Sequence, residues 1–227
     1  MARSVVLLSG GLDSTVTLAY ALSLGDEVIP LTIDYGQRHQ RELLAAKDIA
    51  SHYGLDRHII MELDLGYFGS SALTSMDLDV PEGTVGAIND EIPVTYVPAR
   101  NIIFLSIAAG LCECENARLL YIGANAVDYS GYPDCRPEFF RHFQRVLEVG
   151  TKTGVEGTPI KIVTPILKKT KSEIVTLGMD LNAPLHLTWS CYRGGERACG
   201  SCDSCLLRLK GFKEAGFEDP IPYEGRE

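Results

Sequence analysis

An α/β fold, an open parallel sheet with helices on both faces, is predicted for this chain of 227 residues, with a four-cysteine, zinc-binding helical segment at its C-terminal end. Three observations predict it. Short apolar runs alternate with stretches of helical spacing along residues 4–177, the rhythm of parallel strands joined by right-handed crossovers. The first run feeds straight into a glycine-rich turn, Ser9-Gly10-Gly11-Leu12-Asp13-Ser14. Four cysteines, Cys191, Cys199, Cys202 and Cys205, are bunched near the end.

In order, residues 4–9 read as the first strand, and 14–24 carry apolar residues at helical spacing until Gly25 stops the run. Residues 27–34 (EVIPLTID) make a second strand, 40–53 a helix closed by Gly54, and 57–62 a third strand. Residues 65–93 break the rhythm with Gly, Ser, Pro and acidic residues, so a long loop or lid is expected there. A strongly apolar helix comes next over 101–114, then a buried strand over 118–122 ending at Gly123, and a helix over 137–149. Residues 160–163 suggest the last strand, and 171–177 a short helix starting from Thr170 or Lys171. The chain divides into an α/β domain over 1–180, which carries the glycine-rich turn, and a segment over 181–227, which carries the four cysteines and packs on it.

The formal net charge is −9 and no basic block interrupts it, so the electrostatic footprint of a nucleic-acid binder is missing. Small-molecule substrates are expected, with Lys168, Lys169 and Lys171 as a local basic cluster. No apolar run approaches the ~20 residues of a membrane helix, and the N-terminus lacks a signal-peptide pattern. A cytoplasmic protein is the expectation.

The glycine turn builds an anion site. Adjacent glycines tolerate positive φ, so successive N–H groups can converge on a phosphate at a helix N-terminus, with Ser9, Ser14 and Thr15 adding hydroxyls. The Gly-Lys-Ser/Thr ending of a Walker A loop is absent. Ser-Gly-Gly-x-Asp-Ser instead resembles the PP-loop of the ATP pyrophosphatases, of adenine nucleotide alpha-hydrolase-like fold, which split ATP between the α and β phosphates. That resemblance implies ATP contacts along Leu8, Ser9, Gly10, Gly11, Leu12, Asp13, Ser14, Thr15, Val16, Thr17 and Leu18, with Mg²⁺ accompanying ATP. Asp13 is awkward beside phosphate and should either cap the loop's own backbone or hold Mg²⁺. Ser9, Asp34 and Gly123 all fall at the carboxyl edge of the sheet, where open α/β sheets bind ligands. Asp34 could meet a ribose or a metal ion, or cap the next turn.

The chain has seven cysteines, and a cytosolic setting disfavours disulfides. C-x7-C-x2-C-x2-C suits a closed tetrahedral zinc site, structural in role; an iron–sulfur cluster or a redox pair fits the spacing less well. Cys112 and Cys114 read as small core residues. Cys135 lies in a polar loop, where a catalytic thiol is conceivable, but no base is placed to activate it.

Residues 123–137 leave a sheet edge dense in donors, acceptors and aromatics. Tyr129 and Tyr132 could stack on a planar base, and carboxylates such as Asp128 and Asp134 could accept from a guanine-like N–H edge. Arg100 and Asn101, at the start of the apolar helix, would face the same cleft. Taken together, SGGLDS, DYGQRH (34–39), YVPARN (96–101), GANAVDYSGYPDCRPEF (123–139), PILKKTKSEI (165–174) and the four-cysteine tail resemble the 7-cyano-7-deazaguanine synthase family. The resemblance implies conversion of 7-carboxy-7-deazaguanine, ammonia and ATP to the nitrile through an adenylated carboxylate and an amide. It implies catalytic roles for Asp13, Ser14, Lys168 and Lys171, and substrate contacts at Arg100, Asn101, Asn125, Asp128, Tyr129, Tyr132, Asp134 and Arg136. It also implies a homodimer. Rival readings are a PP-loop tRNA-modifying enzyme, which the acidic charge opposes, and a non-catalytic ATP-binding zinc regulator.

Overall fold

The computed structural model describes residues 2–69, 71–75, 77–83, 92–127 and 131–225. Its elements run β1 (Arg3–Leu7), α1 (Leu12–Ser23), β2 (Glu27–Asp34), α2 (Arg41–His52), β3 (Ile59–Glu62), α3 (Arg100–Cys114), β4 (Leu119–Ile122), α4 (Pro137–Gly150), α5 (Lys152–Val155), β5 (Lys161–Val163), α6 (Lys171–Asp180) and α7 (Asp203–Ala215). The five strands form one parallel sheet in the order β3-β2-β1-β4-β5, with Val5 level with Ile29 on one side and Leu120 on the other. The expected architecture is therefore present.

Strand pleating explains the two layers, because successive side chains leave opposite faces. Val5 and Leu7 pack with Leu105, Ala108, Cys112, Phe140 and Phe143 under α3 and α4. Val6 and Leu8 pack on the other face with Leu18, Ala46 and Ile49 of α1 and α2, and with Trp189, Cys191, Cys202 and Cys205. The C-terminal segment is thus part of the second layer. A third cluster, including Leu12, Val16, Ile174 and Phe212, joins α1 to α6 and α7.

Several boundaries differ from expectation, each for a local reason. β1 stops at Leu7, although Leu8 still donates to the Leu31 carbonyl at 2.9 Å. β3 is an edge strand and starts at Ile59, two residues late; His58 turns aside to the Thr32 hydroxyl at 2.7 Å. α6 runs on to Asp180 behind a reciprocal cap between Thr170 and Glu173. α5 is an element the sequence pattern does not predict: Thr151 accepts from the Gly154 amide and Glu113 from that of Thr153. The lid region holds only a 3-10 turn at Gly66–Phe68 and looser turns among its described residues, tied down by Arg38, which donates to the carbonyls of Ala72 and Leu78. No helix among the described residues is long and apolar enough to cross a membrane.

Candidate active site

β1 delivers the glycine turn to the carboxyl edge of the sheet, beside the β1/β4 boundary where the strand order reverses. Gly10 takes φ +86°, and a Cβ there would stand 2.2 Å from the Glu42 carbonyl oxygen, so only glycine lets α2 rest on the loop. Gly11 is the N-cap of α1 and no side chain caps the helix, leaving its first amides for a ligand. The serines are pre-set around them. Ser9 Oγ lies 3.0 Å from Ser14 Oγ and accepts from the Gly11 amide at 3.3 Å. Gly123, at the end of β4, sits flush on this turn: a Cβ would be 2.9 Å from the backbone of Asp13 and Ser14.

Asp13 neither caps the loop nor stands free. Both its carboxylate oxygens accept from Lys171 Nζ, at 2.8 and 2.9 Å, across 158 residues of sequence. Lys171 is the first residue of α6 and is buried. Its stem is covered by Gly211 of α7, where a Cβ would come within 2.3 Å of Lys171 Cγ. A buried lysine thus balances the aspartate at the phosphate loop, answering the charge problem with an ion pair.

These groups open into a cavity of about 230 Å³. Leu8, Ser9, Gly11, Leu12, Asp13 and Ser14 form one end, and Tyr35, Arg100, Phe104 and Tyr132 line another part of the wall. Burial disfavours the charge on Arg100, but Tyr35, Tyr132, Cys135 and Asp134 outweigh it and raise its pKa, so the guanidinium stays charged. It lies over the Tyr35 ring, 5.9 Å from the centroid. Burial, opposed by Arg100, pushes the Tyr35 phenol up to about 12. It likewise pushes Cys135 up to about 11, so this wall residue is a neutral thiol rather than a nucleophile.

The remaining sequence-predicted residues fall into three groups. Asn101, Asn125 and Tyr132 line the cavity, but the first two also brace it: Asn101 donates to the Asp134 carbonyl and Cys135 Sγ, and Asn125 to the carbonyls of Ile166 and Lys169. Asp134 itself is buried and accepts from the Asn101 amide at 3.0 Å, holding the 132–136 turn to the start of α3. Thr15, Val16, Thr17 and Leu18 are buried along α1, away from the cavity wall. Asp34 makes a turn contact with the Gly36 amide, Lys168 is exposed, and Arg136 is an exposed N-cap of α4; none of the three lines the cavity. Asp128 and Tyr129 lie outside the described residues.

Sequence reasoning missed much of the wall. Gln37, Arg38 and His39 line it after β2, and so does Glu42; the carboxyl-edge rule that singles out Asp34 points equally to the residues just beyond it. Trp189, Ser190, Tyr192, Ser204 and Arg208 line it from the C-terminal segment. The Trp189 amide donates to the Gly10 carbonyl at 2.9 Å, and the Arg41 guanidinium lies over its ring at 5.0 Å. Arg208 is 1% exposed and bonded to Asp219, Thr188 and the Leu185 carbonyl. No local pattern predicts this wall, because chain reversal creates it.

The four cysteines converge so that one sulfur from each lies within 4.8 Å of the others. Tetrahedral zinc with bonds of ~2.3 Å sets sulfurs ~3.8 Å apart; Cys199 and Cys205 sulfurs are 3.9 Å apart. Amides of Ser201 and Cys202 donate to Cys199 Sγ and that of Cys199 to Cys191 Sγ, as bound thiolates require. Gly200 at φ +69° makes the turn between them. The donor set fits a metal ion with no open position.

Against known proteins, residues 3–216 match the family described as queuosine biosynthesis protein QueC. The chain is 58% identical over 226 residues to a 7-cyano-7-deazaguanine synthase of Acetivibrio thermocellus, covering 100% of both chains. It is 55% identical to that of Thermoplasma acidophilum, over 98% of this chain and 92% of the relative, and 51% identical to that of Nostoc sp., over 97% of each.

Proposed function

We propose a mechanism from one premise: the chain belongs to the family of queuosine biosynthesis protein QueC. It is an enzyme that uses ATP to turn 7-carboxy-7-deazaguanine and ammonia into 7-cyano-7-deazaguanine in queuosine biosynthesis. In class it is a ligase forming C–N bonds. The full-length identity to the named synthases supports the substrate, and the Asp13–Lys171 pair beside the open helix end is the observation that carries the mechanism.

A carboxylate is a poor acceptor for ammonia, so it must first be activated. The amides at the α1 N-terminus, with Ser9 and Ser14, hold the departing pyrophosphate, and Lys171, kept charged by Asp13, offsets the charge that develops there. The substrate oxygen attacks the α-phosphate, pyrophosphate leaves, and ammonia then displaces AMP to give the amide. A second activation, at the amide oxygen, allows loss of AMP and closure to the nitrile. Tyr35, Phe104 and Tyr132 offer faces for the planar base, with Arg100, Asn101, Asn125 and the turn bearing Asp134 placing it. Arg136, Lys168 and Asp34 lie off the cavity wall and take no part in this scheme.

Mg²⁺ would accompany the triphosphate and offset its charge; the carboxylates among the described lining residues are Asp13, already paired with Lys171, and Glu42. Zinc is the metal that suits four thiolates; Cys191, Cys199, Cys202 and Cys205 would hold it, and its role is to fix the C-terminal segment. Residues 181–227 form a zinc-binding segment packed on the nucleotide domain of residues 1–180, whose second layer they complete. All seven cysteines are unpaired, which suits a reducing cytoplasm. Ile102, Ser106, Gly110 and Cys114 are all exposed at four-residue intervals along α3, a face suited to a homodimer. Incubation with ATP, ammonia and the 7-carboxy base tests the whole reading: mass spectrometry should detect the nitrile and two AMP per product.

A further inference from the structure

We propose that Glu42 is the proton acceptor of this reaction, taking the protons that the ammonia nitrogen sheds as it becomes amide and then nitrile. The inference rests on the reaction proposed above. Ammonia carries three protons and the nitrile nitrogen none, so a base is needed at each stage. In amination, the nitrogen lone pair attacks the acyl-adenylate carbon, the bond from carbon to the AMP oxygen breaks with its electrons, and one N–H proton goes to Glu42. In the second activation, the amide oxygen attacks the α-phosphate, pyrophosphate leaves, and a second proton is taken from nitrogen. In elimination, the last N–H electrons form the third C–N bond as AMP departs and the proton returns to the base. Between stages Glu42 gives each proton to solvent.

Two carboxylates line the cavity among the described residues, Asp13 and Glu42. Asp13 has both oxygens on Lys171, and a carboxylate held that way is a poor base. Glu42 makes no hydrogen bond or ion pair among the described residues, yet faces the same space. Its position is fixed by the phosphate loop, because its backbone carbonyl rests on Gly10 where no Cβ fits. The first turn of α2 therefore carries this side chain beside the site where the leaving groups form. The charged and titratable groups around it are Arg100 of α3, Tyr35 after β2 and Cys191 of the C-terminal segment. Burial raises the pKa of its carboxyl, against the pull of Arg100, which favours a proton acceptor.

The test separates activation from nitrogen chemistry. Carboxylate attack on ATP releases no proton, so substrate-dependent ATP–pyrophosphate exchange without ammonia does not need this base. In Glu42→Gln, exchange should stay within about threefold of the unmodified enzyme, while ammonia-dependent amide and nitrile formation fall about 10²–10⁴-fold. Glu42→Asp should recover part of the loss. Retained exchange also shows that the variant is folded. Nitrile formation within about threefold of the unmodified enzyme would overturn the proposal. So would exchange falling in parallel with nitrile, which would make Glu42 a substrate-holding residue. Absence of exchange in the unmodified enzyme would overturn the underlying reaction, a failure visible before any substitution is made.

Discussion

A single residue, Lys171, decides how a carboxylate can stand at a phosphate loop. Its side chain is 9% exposed and that of Asp13 19%, so the two charges meet largely out of water. Asp13→Asn removes the charge and keeps the shape, leaving a buried ammonium beside a neutral amide. We expect a loss of about 1–3 kcal/mol in urea unfolding, below the full cost of breaking a wholly buried pair because Asp13 is partly wet, together with loss of ATP–pyrophosphate exchange. Glu42 offers the opposite case. Its carboxyl rises from the ordinary 4.5 to about 7, so the folded state binds its proton more tightly than the unfolded chain does. That contribution is fully present below the unfolded pKa and is lost as pH rises through the folded one. Glu42→Gln should therefore melt higher than the unmodified protein at about pH 8.5, with the difference shrinking toward about pH 5; scanning calorimetry at both values checks the sign.

At the scale of elements, contacts between helices set the geometry of the cavity. Gly211 lets α7 lie on Lys171 without a gap. Gly211→Ala would push the helix off, costing about 1–3 kcal/mol as overpacking does, and should raise KM for ATP by about tenfold as Lys171 shifts; nitrile assays at varied ATP read it out. On the opposite side of the sheet, Ile102 is 42% exposed on α3. Under the homodimer proposed above, Ile102→Glu should leave a monomer in light scattering while the sheet remains intact. How far these elements are legible depends on their sequence. β2 is legible to the residue because a mostly apolar run, VIPLTI, lies between Glu27 and Asp34, ahead of the turn at Gly36. The four residues of α5 are too few to show a period. α7 buries Ser204 and Arg208, polar residues that in a sequence look like solvent-facing ones, so its part in the cavity is invisible there. The phosphate loop is readable because its residues are consecutive; its lysine shows in the sequence as one of the basic cluster Lys168, Lys169 and Lys171, but its pairing with Asp13 does not, since nothing local joins residue 13 to 171.

For the whole molecule, the four-cysteine segment joins distant parts of the chain. It touches the phosphate loop through Trp189 and the lid through Gly83, whose amide donates to the Ser201 carbonyl at 2.8 Å. Cys202→Ser should lose bound metal and soluble yield together, measured by elemental analysis of the purified protein; a metal-free variant of full stability would overturn the structural role. The hydrogen bond from Trp189 to Gly10 carries a further consequence. Two binding events that share one backbone junction share their free energy, and such coupling works equally in both directions. If a filled metal site firms the loop for the nucleotide, the bound nucleotide must hold the metal more tightly by the same factor. An enzyme kept in ATP should then yield its metal to a chelator more slowly than one without it, so that nucleotide supply also governs how long the metal stays.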